Sequence, residues 1–328
     1  MRVVVLGGTR FIGRAVVTEL LGNGHDVAVV HRGVHEPADP GPVVHIHTDR
    51  SHLQDVASDL RDFDPEAAVD VSAMNGAAAG GALDALPSGL RLVALSSGDV
   101  YRAFASLRDG IQTDAVPLDE DAALRSGRFF VAPDDENLEV EEAYLSRGAV
   151  VLRLAAVYGE EDYQRRHDFV LRRLVAGRDR IPIGKGNLLL SRLYVRDAAK
   201  AVRLALESAG QGEVYNVAES ATWSMRLLAE KVIESTDYEA QLVTVEDSDL
   251  PRDLRITSFV GQQMLMNSQR IRSDLGWSET DRDEALRVAV RWEDSDPPDE
   301  EYLEGLEERI GCSYRDFSAD DIALSRAG

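Results

Sequence analysis

Apolar residues along the chain come in short, β-branched runs separated by stretches in which they recur every three to four positions. The runs at 3–6 (VVVL), 26–30, 43–47, 67–71, 90–95 and 149–154 are too short for helices and read as strands buried on both faces. Between them, Phe11, Ile12, Ala15, Val16, Leu20 and Leu21 repeat at helical spacing, as do Leu53, Val56, Ala57 and Leu60. Small residues over 75–86 and a stretch over 134–146 predict two further helices. Repeated alternation of strand and helix predicts a doubly wound parallel α/β sheet with helices on both faces. Residues 102–131 lack a clean period and read as an irregular excursion.

Beyond Gly159 the pattern changes to short strands (188–194, 213–217, 241–245) mixed with helices (through Val170 and Leu174, then 198–207, 225–234 and 283–292). This predicts a smaller mixed α/β domain. The expected division is a dinucleotide-type domain over 1–160, a substrate domain over 161–293 with segments returning to the core, and an acidic tail over 294–328. The acids and prolines over 293–308 suggest a solvated appendage with one short helix there.

The chemistry concentrates where the first strand ends. In GGTRFIG, residues 7–13, Gly7 and Gly13 take the outer places of a glycine fingerprint and Arg10 the middle one. Glycine there lets a pyrophosphate approach the N–H groups of a helix start, where the helix dipole favours negative charge. The second strand ends in His31 and Arg32 with no acid. An acid would bind a ribose 2′-hydroxyl and an arginine suits a 2′-phosphate, so the expected cofactor is NADP, with NAD as the alternative. Ligands of such sheets lie at the carboxyl ends of the strands, where Gly7, Arg32, Asp49, Ala73 and Ser97 fall. With Thr9, Arg10, Phe11, Ile12, Gly13, Arg50, Ser96, Leu154 and Val157 these are the expected cofactor contacts, apart from Ser97, which is assigned to catalysis.

Composition narrows the partners. With 36 basic and 58 acidic side chains the net charge is −22, and Lys185, Lys200 and Lys231 are the only lysines. Such a chain repels nucleic acid and anionic membranes, so a small-molecule substrate is expected and neither of those partners is. The acidity suits a salt-rich cytoplasm, and arginine-rich coding explains the scarce lysine equally well. No apolar run reaches the length of a membrane span, and a cytoplasmic location is expected. Cys312 is the single cysteine, which excludes an internal disulfide and a cysteine-based metal cluster; no metal site is expected.

Seven motifs in order make the chain resemble the extended short-chain dehydrogenase/reductases, the NAD-dependent epimerase/dehydratase group, in its GGxxxxG subgroup. They are GGTRFIG at 7–13, SSGDVY at 96–101, PLDEDA at 117–122, LRLAAVYG at 152–159, LYVRDAA at 193–199, VYNVAE at 214–219 and RIRSDLGW at 270–277. The resemblance implies a Rossmann-type fold and pairing of two copies through the helix over 134–146. It also implies a catalytic serine, which Ser97 matches, and a YxxxK pair in which tyrosine moves a proton and lysine lowers its pKa. The slot for that pair, 133–137, reads PDDEN. Three readings follow: an enzyme on a nucleotide sugar or other polyol with relocated proton transfer, a retired NADP(H)-binding sensor or partner protein, and, ranked last, an RNA-binding protein like plastid relatives of the subgroup. Tyr101 is the expected catalytic partner of Ser97. Asp99, Asp134, Asp135, Glu136, Tyr158 and His167 are the further candidates, His167 being read as a surface-loop residue.

Overall fold

The computed structural model describes residues 1–35, 41–128 and 135–327. The main sheet is built from β1 (Arg2–Leu6), β2 (Asp26–His31), β3 (Val43–His47), β4 (Ala67–Asp70), β5 (Arg91–Ser97), β6 (Val150–Leu154) and, past three strands of smaller pairings, β10 (Val214–Val217). Its order is β10-β6-β5-β4-β1-β2-β3, parallel throughout. The strand order reverses between β1 and β4, which opens the crevice where such sheets bind ligands. The Rossmann-type α/β fold is therefore present.

Both faces of β1 are covered, which is why its sequence is continuously apolar. Val3 and Val5 join a core with Val16 and Leu20 of α1 (Phe11–Gly22) and Val202 and Ala205 of α7 (Val195–Ser208). Val4 and Leu6 face the opposite core with Leu53, Leu60 of α2 (Ala57–Asp62) and Ala82 of α3 (Gly76–Ala85). α5 (Asn137–Leu145) lies on that second side, its Val140 and Tyr144 packed with Ala79 and Leu83. It begins at Asn137, capped by Glu136, whose carboxylate accepts from Leu138 N at 3.2 Å.

A further core lies beyond the sheet. Leu171 and Leu174 of α6 (Asp168–Val175), Ile181 and Ile183 of β8 (Arg180–Ile183), Leu228 and Val232 of α8 (Met225–Glu234) and Leu286 and Val290 of α10 (Arg282–Ser295) form it. β8 pairs with β11 (Gln241–Thr244), and β7 (Ala156–Tyr158) with β9 (Arg192–Tyr194). The strand expected over 188–194 is regular only in β9; Leu189 and Leu190 make isolated bridges to Ser224 and Met264. The excursion over 102–131 holds a helix, α4 (Arg102–Asp109).

The stretch over 293–308 carries one helix, as expected, but is tied down rather than free: Glu293 and Leu306 are buried and Tyr302 bonds to the body of the protein. The C-terminal segment contains α11 (Glu300–Ile310) and α12 (Ser318–Ala327), bound by buried charge. Arg173, fully buried, donates to Asp320 at 2.7 Å and to Asp253 at 2.7 Å. Buried Asp168 accepts from the hydroxyls of Tyr302 at 2.7 Å and Tyr314 at 2.9 Å. A buried guanidinium needs anionic partners, and the tail supplies one of them.

Candidate functional site

The first strand ends as its sequence requires. Gly7 has φ +90°, and a Cβ there would meet Ser72 Oγ at 2.7 Å. A Cβ on Gly13 would fall on the Gly7 carbonyl oxygen, so helix and turn touch backbone to backbone. Arg10 at the N-cap makes no side-chain cap bond to α1, and the first turn of the helix holds no acid. The helix start thus keeps unsatisfied N–H groups and a positive dipole end turned toward the crevice. These features fit a dinucleotide cradle. Gly7, Thr9, Arg10, Arg32, Asp49 and Arg50, all expected at a cofactor, line one cavity of about 590 Å³ there.

Ser72 and Met74 line it too and were missed by sequence reasoning. Ser72 follows β4 at the switch point, which was the available signal. Phe11 is buried behind the turn with its ring edge-on to Tyr163, and Ile12 packs against the core. Ala73 is buried beside the cavity wall, in a cluster with Tyr144.

Two expected contacts have other work. Arg50 donates to Asp70 with both amino groups, to Ser72 Oγ at 2.9 Å and to the Ala78 carbonyl at 3.2 Å. Asp70 is buried and also accepts from the Tyr144 hydroxyl, while Ser72 Oγ donates to the Leu6 carbonyl at 3.3 Å. Arg50 therefore braces the cavity floor by joining the ends of β1 and β4 to α3 and, through Asp70 and Tyr144, to α5. The Asp49 carboxylate accepts from Ser51 N at 2.9 Å and Ser51 Oγ at 2.6 Å, which holds it below the usual aspartate range.

Arg10 points from the helix start toward the tail. Its guanidinium lies 3.7 Å from both Asp299 and Glu301 and sits over the Tyr163 ring at 5.1 Å. Exposed pairs at that distance are weak and salt-screened, yet they put carboxylates where ligand phosphates would go. Neutralising both, as Asp299→Asn with Glu301→Gln, is expected to raise dinucleotide affinity severalfold at low salt. The gain should vanish at high salt in a titration series, and unchanged low-salt affinity would show that the tail does not compete.

At the end of β5, Ser97 Oγ accepts from Asp99 N at 3.2 Å. The buried Asp99 carboxylate accepts from Asn137 Nδ2 at 3.1 and 2.9 Å and lies 3.7 Å from Arg125, which is bonded to Glu136 at 2.8 and 2.9 Å. Burial raises the pKa of Asp99, opposed by Asn137 and Arg125. Asn137 occupies the last place of the YxxxK slot; Pro133 and Asp134 lie outside the described residues. Of the slot, Asn137 bonds to Asp99 directly and Glu136 faces it across Arg125.

Tyr101, expected beside Ser97, has its ring in the core instead. It is fully buried; its hydroxyl donates to Asn216 Oδ1 at 2.7 Å and accepts from Arg153 at 3.1 Å. Ser96, Leu154 and Val157 are buried as well, with Ser96 Oγ donating to Glu141 at 2.6 Å. Alternation explains the pair at β5: Ser97 emerges at the strand end, and Ser96 faces inward.

His167 is not a surface-loop residue. It is fully buried, its Nδ1 2.6 Å from Glu293 Oε1 and its Nε2 3.1 Å from Arg192. The Arg192 guanidinium lies over the buried Tyr158 ring, and burial pushes the neighbouring Glu219 up to about 7. An acid whose pKa is higher folded than unfolded stabilises the fold below its unfolded pKa and loses that contribution as pH rises through the folded one. Between about pH 4.5 and 7 Glu219 should therefore cost up to about 3 kcal/mol. Glu219→Gln is expected to flatten the fall of stability over that window in denaturant melts; an unaltered slope would assign the fall elsewhere.

The description of an NAD dependent epimerase/dehydratase family fits residues 3–86 and 131–218, more than half of the chain. The chain belongs to this family. Solved structures share the family member's architecture. The dTDP-glucose 4,6-dehydratase of Bacillus anthracis, solved with NAD, is 16% identical, with 93% of this chain and 99% of that one covered at a TM-score of 0.70. The UDP-glucose 4-epimerase of Thermotoga maritima, solved with UDP-glucose, is 19% identical, with 89% and 98% covered at a TM-score of 0.66. A curated relative, the chloroplast stem-loop binding protein of 41 kDa b of Arabidopsis thaliana, is 23% identical over 99% of this chain and 84% of its own length. No helix among the described residues is long and apolar enough to cross a membrane.

Proposed function

We propose that the protein binds NADP(H) in preference to NAD(H) and acts on a nucleotide sugar or another polyhydroxylated small molecule, with proton transfer by groups other than a YxxxK pair. The observation that carries this reading is the uncapped, acid-free start of α1 packed against Gly7 above the cavity. When bound, the nicotinamide supplies hydride chemistry. The chain's own part is to hold the phosphates at the helix start, orient a substrate hydroxyl at Ser97 and accept its proton at Asp99. Dinucleotide- and sugar-nucleotide-bound neighbours support the substrate class by likeness of fold.

Arg32 sets the cofactor choice. A charge-assisted contact to a 2′-phosphate contributes about 1.5–3 kcal/mol, so Arg32→Ala is expected to remove most of the preference for NADPH in titration calorimetry. Equal affinities for NADPH and NADH in the unaltered protein would refute the preference. A retired sensor would bind in the same way without turnover. The stem-loop binding relative favours an RNA reading, which the net charge of −22 opposes. An RNA complex in a low-salt filter assay would reverse that order.

A further inference from the structure

We propose that His31, His45 and His47 form a binding site for a divalent late transition-metal ion, zinc above all, at the β3 edge of the main sheet. The backbone builds the cluster. β2 and β3 are paired in a register that sets His31 beside His47, and His45, two residues before His47, shares its face of the strand. One ring nitrogen from each histidine lies within 4.8 Å of the other two. His31 Nε2 is 2.7 Å from His45 Nδ1, and the His31 ring centroid is 5.0 Å from that of His45 and 4.7 Å from that of His47. Donors on a tetrahedral zinc sit about 3.4 Å apart, so small ring rotations separate the pair at 2.7 Å and draw in His47.

The donor set selects the ion. Three imidazoles suit zinc, copper or nickel and not magnesium or calcium. Burial is graded from His31, buried, through His45 to His47, exposed, which gives the ion a way in from solvent. There is a cost: His31 Nδ1 accepts from Gly33 N at 3.1 Å. Coordination through Nε2 puts the remaining ring proton on Nδ1, so the Gly33 amide must move aside. The ion would thereby act on the turn that carries Arg32, although the site stands independently of the dinucleotide reading.

The test uses untagged full-length protein, stripped with a chelator and titrated with Co²⁺ and then Zn²⁺. The expected result is one Co²⁺ per chain with the visible absorption of a four- or five-coordinate site, displaced by one equivalent of Zn²⁺. His47→Gln, at an exposed edge position, should weaken binding at least about tenfold, and His45→Gln similarly. His52→Gln alters an exposed histidine outside the cluster and should change nothing. Absence of saturable one-equivalent binding, or His47→Gln binding as tightly as the unaltered protein, overturns the proposal. A His45→Gln variant that fails to fold leaves the His47→Gln comparison to decide.

Discussion

Gly13→Val is expected to weaken NADPH and NADH together by at least about 100-fold, the loss of roughly two charge-assisted phosphate contacts. The added Cβ, fixed rigidly to its own backbone, lands on the Gly7 carbonyl oxygen, itself backbone, so relief requires α1 to leave the end of β1. The N–H groups meant for the phosphates move with it. Gly22→Ala is the control, because a Cβ there meets nothing within 4 Å. Calorimetric titration of both variants, with melts to confirm folding, checks this. Full affinity in a folded Gly13→Val protein would mean that the turn only joins strand to helix.

Asp99→Asn is expected to lower turnover about 100-fold on whichever nucleotide sugar or polyol a metabolite screen identifies, with nucleotide affinity unchanged. Asp99 is a buried carboxyl joined to Asn137 from the YxxxK slot and to Ser97 through its own amide. Ser97→Ala should show a comparable fall in turnover. Tyr101→Phe should behave differently: it strips a buried hydroxyl from Asn216 and Arg153, so its effect should appear as lost stability. Robust turnover indifferent to both Asp99→Asn and Ser97→Ala would move the chemistry to the Tyr158, His167 and Glu219 cluster.

The main sheet was legible because strands buried on both faces leave uninterrupted apolar runs, as in Val3 to Leu6, and because glycine is the residue that fits at Gly7 and Gly13. β7 and β8 were not, since three or four residues of mixed character carry no period. The stretch over 293–308 misled because acids are usually solvated, and nothing local in the sequence shows that Glu293 lies buried against His167 or that Tyr302 reaches Asp168. Similar nonlocal pairings hid the roles of Arg50, spent on Asp70, and of His167, paired with Glu293 across 126 positions. Ser97 was readable from its strand end. Tyr101 was not, because its fate depends on Asn216, 115 residues away.

The central claim is that the glycine turn at 7–13 holds a dinucleotide, and an equilibrium titration of the unaltered protein with NADPH and NADH tests it most directly. Saturable one-to-one binding is predicted, NADPH at least about tenfold tighter than NADH. Failure of both nucleotides to bind at millimolar concentration would contradict it.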